Sequence, residues 1–145
     1  MVASKQDAAA LDTLDSLVGQ ARTAILAALD QELQPLDMTA AQYVIIVKLA
    51  GSRSESMAAL CKTLSYDPGA MTRMIDRLER KGLVTRLRPL DNRRSVMLEL
   101  TEAGLRMYPK LTECVAQVIR RFLAGFARDE VSELKRLLQK LLANA

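Results

Sequence analysis

The residues in this chain best placed to do chemistry are arginines, and what they can do is grip a polyanion. Between Pro68 and Arg94 stand Arg73, Arg77, Arg80, Lys81, Arg86, Arg88, Arg93 and Arg94, against only Asp76, Glu79 and Asp91. That stretch carries +5, whereas the rest of the 145 residues holds 13 basic and 14 acidic side chains and sits at −1. The formal excess of +4 is therefore concentrated in one segment. A focused positive patch on a near-neutral body is the electrostatic footprint of a nucleic-acid binder.

Other chemistries are poorly supplied. The chain has no His, hence no imidazole general base and no His-built zinc site. It has no Gly-rich phosphate loop and no nucleophile elbow. An enzyme is not expected, nor a cofactor. Cys61 and Cys114 are too few for a disulfide framework and read as small buried hydrophobes in a reducing cytosol. Met1 to Ala10 contains no leader-like apolar run, and no stretch reaches the roughly 18 apolar residues of a membrane span. A soluble cytoplasmic protein with no membrane partner is expected.

The elements that must position the arginines can be read from periodicity and caps. Half the residues are apolar, yet there is no Trp and only two Phe, so the core is aliphatic and the composition favours helices. Leu11, Leu14, Val18, Ala21, Ile25 and Ala28 step by three and four, which predicts a helix over 7–34 ended by Pro35. Thr39-Ala40-Ala41-Gln42 is a capping box with Met38 and Tyr43 at the staple positions, predicting a second helix to Ala50 and a stop at Gly51. Ser56 caps a short third helix over 57–64, with Met57, Leu60 and Leu64 inward.

Asp67-Pro68 starts a fourth helix, a capping carboxylate followed by Pro, and Gly82 ends it after Lys81. Its apolar face is Met71, Met74, Ile75 and Leu78; its outward face is Gly69, Thr72, Arg73, Asp76, Arg77 and Arg80. Leu83–Arg88 and Ser95–Leu100 then read as two strands of a hairpin whose tip, 89–94, holds Arg93 and Arg94. Thr101 caps a long fifth helix, predicted over 102–126, with the stripe Leu105, Tyr108, Leu111, Val115, Val118, Ile119, Phe122 and Phe126 and a kink at Pro109. A last helix over 129–143 carries Val131, Leu134, Leu138 and Leu141.

A short helix, a tight turn, a helix with a basic polar face and a hairpin with a basic tip make a winged helix-turn-helix. The fold expected is mainly α, one domain over 1–145, with a two-stranded wing and long terminal helices. Each part answers a demand of duplex DNA. A helix fits the major groove, where every base pair presents a distinct donor and acceptor pattern, and an arginine-tipped hairpin fits the narrower, more negative minor groove.

The motifs also resemble a known family. Ser65 to Arg88, SYDPGAMTRMIDRLERKGLVTRLR, is similar to the recognition-helix segment of the MarR (multiple antibiotic resistance regulator) family. Arg93 to Gly104, RRSVMLELTEAG, is similar to that family's wing arginine followed by an LTxxG strand-to-helix junction. The resemblance covers Pro35 to Gly104 in sequence and the termini by element order. It implies a homodimer formed through the first, fifth and sixth helices (7–34 and 102–143) around a DNA-reading core over 37–101. On double-stranded DNA it implies that Ser65, Gly69, Thr72, Arg73, Arg77 and Arg80 face the major groove and Arg93 and Arg94 the minor groove, on a pseudo-palindromic operator. It further implies repression relieved by a small phenolic or carboxylate effector or by oxidation. Val118 and Leu138 are expected at the dimer interface.

The family's wing usually has Asp two residues before the minor-groove arginine. Counting back from Leu100-Thr101, the arginine position is Arg94 and the Asp position is Asn92, with Asp91 one residue early. Either Asp91 still reaches Arg93 or Arg94, or the tip is less pre-organised; Arg94 is the expected groove residue. For an effector the resemblance points to Thr72 and Arg86, lined by Ala70, Met74 and Arg77, although Thr72 and Arg86 also suit DNA and phosphate contacts. Peroxide-sensing relatives carry a reactive Cys near the start of the first helix, and this chain has none there. The rival to a DNA-binding regulator is a helical interaction protein that keeps the winged shape without DNA binding. The intact arginine rows on helix and wing argue against it.

Overall fold

A computed structural model describes residues 5–88, 91 and 95–145, with side chains described from residue 13 onward. The chain runs α1 (Lys5–Leu33), a 3-10 turn (Gln34–Leu36), α2 (Ala40–Ala50), β1 (Glu55–Ser56), α3 (Met57–Leu64), α4 (Pro68–Arg80), β2 (Val84–Leu87), β3 (Met97–Leu100), α5 (Glu102–Phe122) and α6 (Arg128–Leu142). This is the winged helix-turn-helix expected, mainly helical, with long helices at both ends. Among the described residues no helix is long and apolar enough to cross a membrane.

Local chemistry sets the helix starts. Thr39 Oγ1 accepts from the Gln42 amide at 3.1 Å and Gln42 Oε1 accepts from the Thr39 amide at 3.2 Å, closing the capping box of α2. The Ser56 hydroxyl accepts from Ala59 N–H, the Asp67 carboxylate from Ala70 N–H and the Thr101 hydroxyl from Gly104 N–H, so α3, α4 and α5 each begin on a side-chain cap. At α6 the cap residue is Ala127, which offers no side-chain acceptor; there Glu130 reaches back to the Ala127 amide at 2.9 Å.

Three features differ from the sequence reading. The wing sheet has three strands rather than two, in the order β1-β3-β2, all antiparallel. Glu55 pairs with Leu98 and Ser56 with Met97, so the residue that caps α3 is also tied to the wing. The fifth helix ends at Phe122, because Gly125 takes φ +85°, in the left-handed region, and turns the chain. Val118, placed at the dimer interface by resemblance, is fully buried within one protomer. Leu29 and Leu33 of α1, Ile45, Ile46 and Leu49 of α2, Leu60 of α3, Met71, Ile75 and Leu78 of α4, Leu98 of β3, and Leu111 and Val118 of α5 form one core cluster.

The periphery is the opposite. No residue of α6 is buried, and its Leu134, Leu137, Leu138, Leu141 and Leu142 are 39–66% exposed. Leu14, Leu17 and Val18 of α1 and Phe122 and Phe126 at the end of α5 are exposed as well. The apolar stripe of α5 thus divides: Leu111 and Val118 enter the core, while Leu105 and Phe122 do not.

Besides the shared core, a backbone joint ties the segment after α4 to the start of α5. The Leu83 carbonyl accepts from the Thr101 amide at 3.0 Å, and the Thr101 hydroxyl donates to the Gly82 carbonyl at 2.5 Å. A Cβ on Gly104 would stand 2.3 Å from the Leu83 oxygen, closer than any real contact. The last residue of the LTxxG motif is therefore Gly because a backbone carbonyl occupies the space of its side chain. Gly104→Ala is expected to destabilise the fold by roughly 1–3 kcal/mol or more, as overpacking against rigid backbone does. Thermal unfolding should show a clearly lowered midpoint, and an unchanged one would contradict the close approach.

Candidate nucleic-acid interface

The candidate surface is built on α4. Ser65, at φ +54° and exposed, makes the left-handed turn out of α3, and the Tyr66 amide donates to the Cys61 carbonyl at 3.0 Å. Asp67 then caps α4, and Pro68 supplies its first turn. Met71, Ile75 and Leu78 are fully buried, with Met74 packed against them, so the helix is locked by one face. Thr72, Arg73, Arg77 and Arg80 occupy the other face and are exposed. Among the described residues none of these three arginines forms an ion pair; Arg80 Nε donates only to the Asp76 carbonyl, at 3.3 Å. Gly69 lies beside this row: a Cβ there would be 3.1 Å from Asp67 Oδ2 and 3.5 Å from an Arg73 guanidinium nitrogen. The glycine leaves room for both the cap and the arginine.

The positive segment is not one uniform patch. Lys81 turns away from the outer face of α4. Its ammonium donates to the Asp37 carbonyl and to Gln42 Oε1 at 3.2 Å, and it pairs with the Asp37 carboxylate at 3.5 Å. Asp37, at φ +56°, is the corner between the 3-10 turn and α2. Lys81 therefore ties the end of α4 to the α1–α2 corner. Arg86, on β2, is likewise committed: its guanidinium bonds Asp76 Oδ1 at 2.6 Å and Glu79 Oε1 at 2.8 Å, both on α4. The sequence reading missed both ties. A signal for the second was present, since Asp76 and Glu79 stand three apart on one helical face and Arg86 follows within ten residues.

The residues suggested for an effector are not presented as an open site. Thr72 donates its hydroxyl to the Pro68 carbonyl at 2.8 Å, and Arg86 holds its two carboxylates. Ala70 and Met74 are half-buried, and Arg77 borders a recess with Asp30, Asp37, Thr39, Gln42 and Lys81. Arg93 and Arg94, with Asn92, lie outside the described residues; Asp91 is exposed. Cys61 and Cys114 are both half-buried free thiols. No cluster of three or more His, Cys, Asp or Glu among the described residues is arranged to hold a metal ion.

Comparison with known proteins gives this arrangement a family. The model of the MarR family matches residues 38–96, from the α2 staple to the residue before β3. The multiple antibiotic resistance protein MarR of Escherichia coli (strain K12) is 37% identical over 115 residues, covering 79% of this chain and 80% of that protein. The crystal structure of a mutant E. coli MarR complexed with operator DNA matches with a TM-score of 0.81 at 34% identity, covering 90% of this chain and 94% of that one. A MarR-family transcriptional regulator from Rhodococcus sp. RHA1 shares the fold, with a TM-score of 0.84 at 23% identity over 90% of this chain and 92% of its own. The overall fold is thus shared with these relatives, and the chain belongs to the MarR family of transcriptional regulators.

Proposed function

We propose that this protein is a sequence-specific DNA-binding regulator that reads a pseudo-palindromic operator as a homodimer and represses the adjoining genes until a small phenolic or carboxylate effector releases it. The observation that carries the reading is α4: a helix fixed by Met71, Ile75 and Leu78, with Arg73, Arg77 and Arg80 on its outer face forming no ion pair among the described residues. Such a helix can enter a major groove without reorganising, and its arginines can offer bidentate contacts to guanine. The relative solved on operator DNA supports the same use of the fold. A cytoplasmic location follows from a DNA target.

The dimer is supported by what α6 lacks. A 15-residue amphipathic helix with no buried residue cannot draw its stability from its own protomer. Its leucines, with Leu14, Leu17, Val18, Phe122 and Phe126, leave more apolar surface bare than a monomer of this size ordinarily does. A second copy, presenting the same faces, covers them through a two-fold contact. The effector proposal is chemically constrained: a carboxylate bound by Thr72 and Arg86 must share the guanidinium with Asp76 and Glu79 or displace one of them.

Selection of bound duplexes from a random pool tests the function and yields the operator in one experiment; binding without any sequence enrichment would leave only a non-specific polyanion surface. On the selected operator, Arg73→Ala should reduce specific binding by roughly 1–3 kcal/mol and non-specific binding much less. Equal losses would mean that Arg73 meets only phosphate. Leu138→Glu should shift sedimentation towards monomer and weaken operator binding in parallel, because one protomer covers only a half-site. Val118→Glu, by contrast, should unfold the protein, since Val118 is core.

The wing gives the sharpest contrast. Arg94→Ala should cost more affinity than Arg93→Ala, and its cost should vary with the A·T content of the flanking steps. Arg93→Ala should mainly lower the salt slope, by roughly one unit. Asp91→Ala should weaken binding if Asp91 orients the tip and tighten it slightly if Asp91 merely repels phosphate, so the sign of the change in Kd reports which.

A further inference from the structure

We infer that Arg86 is a positioning residue, an internal counter-ion that fixes the wing against the recognition helix and keeps Asp76 and Glu79 off the DNA, rather than a group that itself contacts DNA. The inference rests on the DNA-binding reading above. Its basis is geometric. Asp76 and Glu79 stand three residues apart on α4, the spacing that puts two side chains on one helical face. Arg86 leaves the middle of β2, opposite Leu98, and places one guanidinium nitrogen on each carboxylate, at 2.6 and 2.8 Å. The planar fork suits this divided grip, which a point-charge ammonium cannot match. The Arg86 side chain is 23% exposed, against 46% and 43% for its two partners, so the cation lies deeper than the acids it holds.

Charge counting shows why the residue matters. Arg86 with its two partners forms a cluster of net −1, on the same helix as Arg73, Arg77 and Arg80, which form no ion pair among the described residues. Without Arg86 the cluster becomes −2, on the helix that must approach a polyanion. The clamp also spans two elements. Arg86 is in β2 and its partners are in α4, so wing and recognition helix cannot change their relative angle without parting at least one short ion pair. A phosphate contact by the same guanidinium would have to use its remaining N–H donors beside two carboxylates that already neutralise it.

A mutant cycle separates the roles. Arg86→Gln should weaken operator binding by about tenfold, and Arg86→Lys, able to hold only one acid well, by an intermediate factor. In an Asp76→Asn/Glu79→Gln background the acids no longer need a counter-ion, and Arg86→Gln should there change Kd by less than about twofold. In that neutral background the salt slope should be the same with and without Arg86, because no phosphate contact is lost. Thermal midpoints of all variants should be measured first and binding read well below the lowest; if Arg86→Gln does not fold, Arg86→Lys in the two backgrounds carries the same comparison. A loss that persists undiminished in the neutral background, with the salt slope lowered by about one unit, overturns the inference and makes Arg86 a phosphate ligand. Failure of the wild-type protein to bind any selected duplex would instead defeat the DNA-binding reading. The clamp would then still be read by faster amide exchange in β2 and α4 of Arg86→Gln, and unchanged exchange there would overturn it too.

Discussion

The carbonyl of Leu83 constrains the molecule more than its single hydrogen bond would suggest. It accepts the Thr101 amide and lies against Gly104 so closely that no side chain fits between. A backbone hydrogen bond contributes about 1 kcal/mol, but here it sets an angle. α4 ends a few residues before it, through Gly82 at φ +72°, and α5 begins directly after Thr101. α4, the helix proposed to meet DNA, and α5, which leads to the proposed dimer surface, are therefore related through a close backbone contact as well as through the shared core. The Thr101 hydroxyl strengthens it by donating to the Gly82 carbonyl while accepting from Gly104 N–H, so one side chain serves both as cap and as brace.

Around that joint the charges are sorted by task. Of the basic residues between Pro68 and Arg94, Lys81 is turned to the Asp37 corner and Arg86 to Asp76 and Glu79. They act as ties between elements. Arg73, Arg77 and Arg80 stay without ion-pair partners among the described residues, which is the condition for meeting phosphates and base edges. A lysine and an arginine can therefore contribute equally to a sequence's net charge and oppositely to its surface. The aliphatic core beneath, with Ile45, Ile46, Leu60, Met71, Ile75, Leu78 and Leu98 fully buried, gives these ties a fixed frame.

What was legible in the sequence was whatever is decided within a few residues. The Thr39 box, the Ser56 cap, the Asp67-Pro68 start and the Thr101 cap each placed a helix start where the structure has it, because their donors and acceptors lie three positions apart. The two-residue β1 left no periodic trace, since its pairing with Leu98 and Met97 depends on a strand some forty residues on. The stripe on α5 revealed that a face is buried but not what buries it, so Val118 and Phe122 looked alike. Lys81 and Arg86 looked like members of a basic surface because charge counts ignore partners 44 and 10 residues away, Asp37 and Asp76. The end of α5 was overrun because Phe126 keeps the apolar spacing past a glycine that the backbone uses to turn.

The order in which these contacts become available along the chain has its own consequence. The reading module closes over short separations: α3 against α4, β2 against β3, and the Leu83–Thr101 bond across fewer than twenty residues. The α1 helix is different, because its most extensive packing is against α5, so Leu29 and Leu33 wait for Leu111 and Val118. Contacts of short separation form early and those of long separation late, and a chain made from its N-terminus folds under that schedule. On the ribosome, α1 is thus among the last of these helices to be fully covered. For the time it takes to make some eighty further residues, at about 5–20 per second, a helix with an apolar underside lies open, and nascent-chain binding proteins have a window of several seconds in which to meet it.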